Sequence, residues 1–119
     1  MTQSEPSLPR IASADSGTWQ EHPRFKGIFI NKLLTSADND LANVNRVRVP
    51  PGGLIGLHTH PTQIETIFVL AGASHLTLGK TSTPFVKGQI VAVPAGLEHS
   101  LHNPGETDVE LLTVFTPPV

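Results

Sequence analysis

Short apolar runs, separated by glycine, proline and polar clusters, make up most of the chain beyond residue 26. Residues 46–49 alternate between charged and apolar side chains, the period-two pattern of a half-buried strand. No segment carries a helical apolar stripe of ten or more residues. Many short strands between turn signals predict an all-β sandwich or barrel. The predicted strands are 27–34, 46–49, 66–70, 73–78, 89–93, 97–103 and 109–115, with 66–70 and 73–78 forming a hairpin through Ala71 and Gly72.

The first 17 residues differ from the rest because they are polar and contain two prolines. Residues 1–17 are therefore predicted to be a flexible tail, or alternatively an arm that adds to a partner subunit through Ile11. Residues 18–119 form the predicted barrel domain. Trp19, the single tryptophan, is expected to cover a barrel edge or to contact a second subunit.

Composition narrows the choice of partners. A length of 119 residues suits one domain, and the net charge of −2 leaves no basic patch for nucleic acid and no polybasic run for a membrane. Without cysteine, the chain can form neither a disulfide framework nor a thiolate zinc site. The N-terminus lacks a signal-peptide pattern and no apolar run reaches transmembrane length, which predicts a cytoplasmic protein.

Candidate chemistry is concentrated between residues 58 and 99. His58 and His60 are two residues apart, so on a strand both imidazoles would point to the same face. Glu65 opens the next apolar run and can return beside them, and His99 offers a fourth ligand. His75 and His102 are expected to point away from this site, and His22 is expected at the surface.

These residues lie at a spacing that resembles the two motifs of the cupin superfamily. The first motif is Gly52, five residues, His58-x-His60, four residues, Glu65, six residues and Gly72. The second is Gly88, five residues, Pro94-x-Gly96, two residues, His99, three residues and Asn103. The resemblance implies a single jelly-roll barrel, a small cupin that pairs as a homodimer, and a metal site on the three histidines and Glu65. The glycines are expected to supply turns, and Asn103 to brace the strand of His99.

Two functions remain open from the sequence. The first is a metalloenzyme of oxygenase (dioxygenase) or isomerase type, which acts on a small organic acid, enol or phenol chelated to one divalent ion. The second is a non-catalytic module that binds a metal and a small ligand. Iron, manganese, nickel, copper and zinc all suit nitrogen and oxygen ligands. The predicted apolar lining of the substrate cavity is Ile67, Val69, Leu97 and Leu101.

Overall fold

Ten antiparallel strands form two sheets in the computed structural model, which describes residues 8–15 and 17–119. No helix occurs among these residues. The strands are β1 (Gln20–Glu21), β2 (Phe29–Leu34), β3 (Asn43–Val49), β4 (Leu54–His58), β5 (Ile64–Ala71), β6 (Ala73–Leu78), β7 (Thr81–Val86), β8 (Ile90–Val93), β9 (His99–His102) and β10 (Val109–Thr116).

The two sheets give the chain a jelly-roll architecture. One sheet has the order β1-β2-β3-β10-β5-β8, and the other has the order β4-β9-β6-β7. Apolar side chains from both sheets form one core, so the sheets pack on each other. The prediction of an all-β jelly-roll barrel is confirmed. The core consists of Ile28, Ile30, Val47, Val49, Ile67, Val69, Leu76, Phe85, Val93, Leu101, Val109 and Leu111.

The inner face of the six-stranded sheet changes from apolar to polar along its strands. Alternation on β3 buries Val49 and Val47 and then two asparagines, Asn45 and Asn43. On the paired strand β10, Val109 and Leu111 lie opposite the valines, and Thr113 and Phe115 lie opposite the asparagines. One end of the barrel is therefore a dry core, whereas the other can hold a polar site.

The predicted hairpin between residues 66–70 and 73–78 is wrong. Strand β5 pairs with β10 and β8, whereas β6 pairs with β7 and β9 in the other sheet. The chain changes sheets at Gly72, whose φ of +86° is reached readily by glycine. A Cβ atom there would lie only 2.6 Å from the backbone oxygen of Asp108, so the crossing also needs the missing side chain.

The sequence correctly predicts several turn residues. Gly52, Gly72, Gly88 and Gly96 all have φ between +77° and +88°. Asn103 is fully buried, and its amide donates hydrogen bonds to the carbonyl oxygens of Val49 and Thr107. These bonds tie the end of β9 to β3, as expected of a bracing residue.

The described part of the N-terminal segment lies along the barrel. Arg10 pairs with Asp38 and donates to the carbonyl oxygen of Leu33, while Arg46 donates to the carbonyl oxygen of Ala14. The guanidinium of Arg48 stacks on the indole of Trp19, with Cζ 4.3 Å from the centroid of the Trp19 ring. Ile11 is exposed. Residues 1–7 and Ser16 lie outside the described residues, and the choice between tail and arm stays a prediction.

Candidate metal centre

Both sheets contribute to the candidate site, which lies at the polar end of the barrel. His58 ends β4 and His99 begins β9, and these two residues are paired directly across the strands. Glu65 is the second residue of β5 in the other sheet. His60 lies just beyond the end of β4, so it is not on the strand that the sequence predicted for it. Its carbonyl oxygen accepts a hydrogen bond from the Gly96 amide, which fixes the backbone there.

The structure brings together all four predicted ligands. One donor atom from each of His58, His60, Glu65 and His99 lies within 4.8 Å of the other three. The Oε1 atom of Glu65 is 3.1 Å from Nε2 of His99 and 3.5 Å from Nε2 of His60. Such a cluster could hold a metal ion, because these are the nitrogen and oxygen donors that divalent transition metals accept.

Backbone carbonyls orient two of the imidazole rings. Nδ1 of His58 lies 2.7 Å from the Gly56 oxygen, and Nδ1 of His99 lies 2.9 Å from the Leu97 oxygen. Because a carbonyl can only accept, each Nδ1 carries a proton and donates it. In the neutral rings, Nε2 is then the nitrogen with a free lone pair, and outer hydrogen bonds of this type are common around metal-binding histidines.

The electrostatics of the cluster favour a charged carboxylate. Burial raises the pKa of Glu65, but the adjacent His60 and His99 lower it by more, to about 2. Burial lowers the pKa of His99, yet the hydrogen bond with Glu65 outweighs it and the net pKa is raised. Burial lowers the pKa of His58, and the neighbouring imidazoles add to this effect. In the metal-free protein, Glu65 is therefore ionised, and its hydrogen bond with His99 favours the protonated form of that ring.

One buried atom in the cluster lacks a partner that a cation would supply. Nε2 of His60 is inaccessible to solvent, and beyond its 3.5 Å contact with Oε1 of Glu65, which is not counted as a hydrogen bond, it has no partner among the described residues. An unpaired buried polar atom is costly, and a metal ion bound to its lone pair would remove that cost. The residues present thus fit one divalent ion.

A cavity of about 100 Å³ opens from the cluster into the barrel. Of the four residues predicted to line it, Ile67 and Leu101 do so. Val69 and Leu97 are not among the described residues that line it. Val69 lies further along β5, in the dry part of the core. Leu97 precedes β9 in a turn closed by its amide and the Pro94 oxygen, so the strand alternation from which its direction was predicted does not reach it.

Sequence reasoning missed several residues of this cavity. His22, expected at the surface, is partly buried and lines the cavity. The ring centroids of His22 and Phe25 are 5.0 Å apart, and those of Phe25 and His58 are also 5.0 Å apart. No sequence pattern marks His22, because it reaches the site from a loop. Thr113 and Phe115 also line the cavity, and the alternation on β10 could have indicated them.

His75 and His102 lie away from the site, as predicted. Both are exposed, and they pair with each other across β6 and β9 on the outer face. Among the described residues, no helix is long and apolar enough to cross a membrane.

Comparisons with known proteins agree with this architecture. A family model for the cupin domain matches residues 45–115. An oxalate-binding protein from Thermotoga maritima is 33% identical over 70 residues, which are 59% of this chain and 58% of that protein. A mannose-1-phosphate guanylyltransferase from Klebsiella pneumoniae is 36% identical over 72 residues, which are 60% of this chain but 15% of that enzyme.

The chain thus spans less than two thirds of the length of these two relatives. A solved structure of a predicted oxalate decarboxylase from Thermotoga maritima superposes with a TM-score of 0.82. It is 24% identical and the alignment covers 91% of this chain and 99% of that one, which establishes a shared fold.

Proposed function

Because this chain belongs to the cupin domain family, we propose that it is a metalloenzyme of oxygenase or isomerase type. One divalent ion is held by His58, His60, Glu65 and His99, and the substrate is a small organic acid, enol or phenol. The observation that carries this proposal is the convergence of four donor atoms within 4.8 Å beside an enclosed cavity. Concave apolar sites with a few converging polar groups are the usual form of small-molecule sites.

The cavity limits the size and polarity of the substrate. A volume of about 100 Å³ suits a molecule of a few heavy atoms. Ile67 and Leu101 present apolar surface that excludes water from the reacting group. The Thr113 hydroxyl is buried and lacks a hydrogen-bond partner among the described residues, so it is available to an oxygen atom of the substrate.

The bound ion and the side chains of the protein would have different roles in the reaction. A bound divalent ion would supply a Lewis acid for chelated oxygen atoms, with oxidation chemistry added if it is redox-active. Glu65 stays ionised, because its pKa is about 2, and so reduces the charge of the centre to +1 when three neutral imidazoles complete the set. His22 donates from Nε2, because its Nδ1 accepts the backbone amides of Arg24 and Phe25. It is the group that can hold a proton near the substrate.

A non-catalytic binding module is the second candidate. The similarity to a protein named for oxalate binding supports it, as does the small number of acid–base groups that line the cavity. The same ligand set and cavity would serve both functions. They differ in whether the bound molecule is changed.

The test begins with protein purified without a nickel column, whose metal content is measured by elemental analysis. Oxalate, catechol and pyruvate are then titrated into metal-loaded and metal-free protein, and oxygen uptake and products are followed for any that bind. We expect one ion per chain and binding only to the loaded form. Thr113→Val, which keeps the side-chain shape, should weaken binding without loss of metal. Equal binding to metal-free protein would contradict the proposal, and binding without any product would favour the module.

A further inference from the structure

A second, more open cavity lies next to the metal cavity at the polar end of the barrel. Its volume is about 370 Å³, and the described residues that line both cavities are His22, Ile30, His60 and Phe115. The two spaces therefore share a boundary formed partly by a candidate metal ligand. A molecule bound at the ligand cluster would therefore lie next to this outer groove.

Strand register gives the outer groove a polar wall. Lys32 on β2 lies opposite Asn45 on β3, and Asn45 lies opposite Thr113 on β10. These positions continue the inner face that is apolar deeper in the barrel. Hydrogen-bonding side chains thus run from the inner cavity, at Thr113, to the outer groove, at Lys32.

The outer groove also favours negative charge. No aspartate or glutamate is among the described residues that line it, whereas Lys32 is, and Lys32 has no ion pair within the described part of the chain. The Nε2 proton of His22 is a further donor at the shared boundary. The ammonium group of Lys32 is therefore available to attract an anion in this groove.

We propose that the outer groove binds a second, anionic group of the substrate, through Lys32. The substrate class is then a small organic acid with a chelating oxygen pair at one end and a carboxylate at the other. This inference rests on the proposed function, because the chelating end must sit at the metal centre. The inner cavity admits the chelating end alone, and the outer groove provides room for the remainder.

The test uses matched pairs of 2-oxo acids on cobalt-loaded protein, with binding followed by the visible absorption of cobalt. 2-Oxoglutarate is compared with 2-oxopentanoate, and 2-oxoadipate with 2-oxohexanoate, so that each pair differs only in a terminal carboxylate. The variants are Lys32→Met, Lys32→Arg and, as a control on the turn between β6 and β7, Lys80→Met. We expect the dicarboxylate of at least one pair to bind roughly two- to fivefold more tightly, as for a partly exposed ion pair.

This preference should disappear in Lys32→Met, return in Lys32→Arg and be unchanged in Lys80→Met. Equal affinities within both pairs, with clear cobalt spectral changes, would overturn the outer subsite but leave the proposed function intact. A preference that survives Lys32→Met but is lost in Arg24→Met, which alters the inner cavity, would also overturn it. If no 2-oxo acid perturbs the cobalt spectrum, the outer subsite is overturned, whereas the proposed function is overturned only if oxalate and catechol also leave the spectrum unchanged.

Discussion

The candidate ligands are ordered to different degrees by the protein itself. His58 and His99 each have Nδ1 held by a backbone carbonyl, and Glu65 is held by His99. No backbone carbonyl among residues 8–15 and 17–119 holds the His60 ring in this way, and the ring packs edge-on against Phe115 with centroids 4.9 Å apart. His60 is therefore the ligand whose removal should perturb the fold least, which makes it the best single residue to test.

Replacement of His60 by alanine should give a folded protein with sharply reduced metal content. The fold should survive because the buried Nε2 atom that the change removes makes no hydrogen bond among the described residues. Elemental analysis measures the metal, and circular dichroism checks the fold. The matched control is His75→Ala, on the outer face, which should keep the wild-type content. A His60→Ala protein with wild-type metal content would show that the ligand set is wrong.

Metal affinity should fall on acidification, starting above the ordinary imidazole pKa of about 6.5. The reason is that the pKa of His99 is raised in the metal-free protein, so an incoming ion must displace its proton. Below the pKa of His99, the metal affinity should drop about tenfold per pH unit. The fall should steepen once His58, whose pKa is lowered, begins to protonate. Isothermal titration across this range measures it, and a flat profile from about pH 8 to about pH 5 would exclude histidine ligands.

The sequence predicts the four clustered candidate ligands because their spacing is local, whereas it misses residues that tertiary structure brings in. His58, His60, Glu65 and His99 follow a fixed spacing in two short segments. His22 reaches the site from a distant loop, which no periodic pattern describes. Leu97 packs against the core but is not among the described residues that line the cavity, because alternation holds only within a strand and β9 begins two residues later.

Strand connectivity was harder to predict than strand existence. The glycine at position 72 predicts a change of chain direction. It does not distinguish a hairpin turn within one sheet from a bend that carries the chain into the other sheet. Strand β7 was largely missed, because Pro84 lies within it and only the last residues are apolar. Its outer position beside β6 in the sheet order explains how the proline is tolerated.

The crossing at Gly72 should be far more sensitive to a methyl group than the turn at Gly88. Both residues have nearly the same φ, +86° and +88°, so both substitutions to alanine carry the cost of a left-handed residue, about 1 kcal/mol. At Gly88 a Cβ meets nothing within 4 Å, whereas at Gly72 it meets the Asp108 oxygen at 2.6 Å. Gly72→Ala should therefore lower the free energy of unfolding by roughly 2–4 kcal/mol. Urea denaturation measures the free energy of unfolding of both variants. An equal loss of stability in Gly72→Ala and Gly88→Ala would contradict this explanation.

Edge strands of both sheets leave apolar side chains exposed. Strand β4 ends the four-stranded sheet and exposes Leu54 and Leu57, and β8 ends the six-stranded sheet and exposes Ile90. Exposed edge strands with apolar side chains are usually covered by another chain or element. This feature supports the prediction of a homodimer.

Light scattering should accordingly give twice the chain mass of 12.7 kDa at micromolar concentration. Leu57→Lys and Ile90→Lys test the two edges separately, because a buried lysine at the interface would favour the monomer. Only the variant on the covered edge should dissociate. A wild-type mass of 12.7 kDa would refute the dimer.

The origin of the ligands in two different sheets has a consequence for the motions of the barrel. His58 and His99 belong to the four-stranded sheet and Glu65 to the six-stranded sheet, so a shared ion would be a removable crosslink in a chain that has no cysteine. Such a link resists separation of the sheets and contributes about 2.7 kcal/mol when the free ion is at 100 times its dissociation constant. Amide hydrogens of β4, β5 and β9 should then exchange with deuterium roughly 100-fold more slowly. Strand β7 lies at the edge of the four-stranded sheet and none of its residues lines the cavity, so its amide hydrogens should exchange at the same rate with and without the ion.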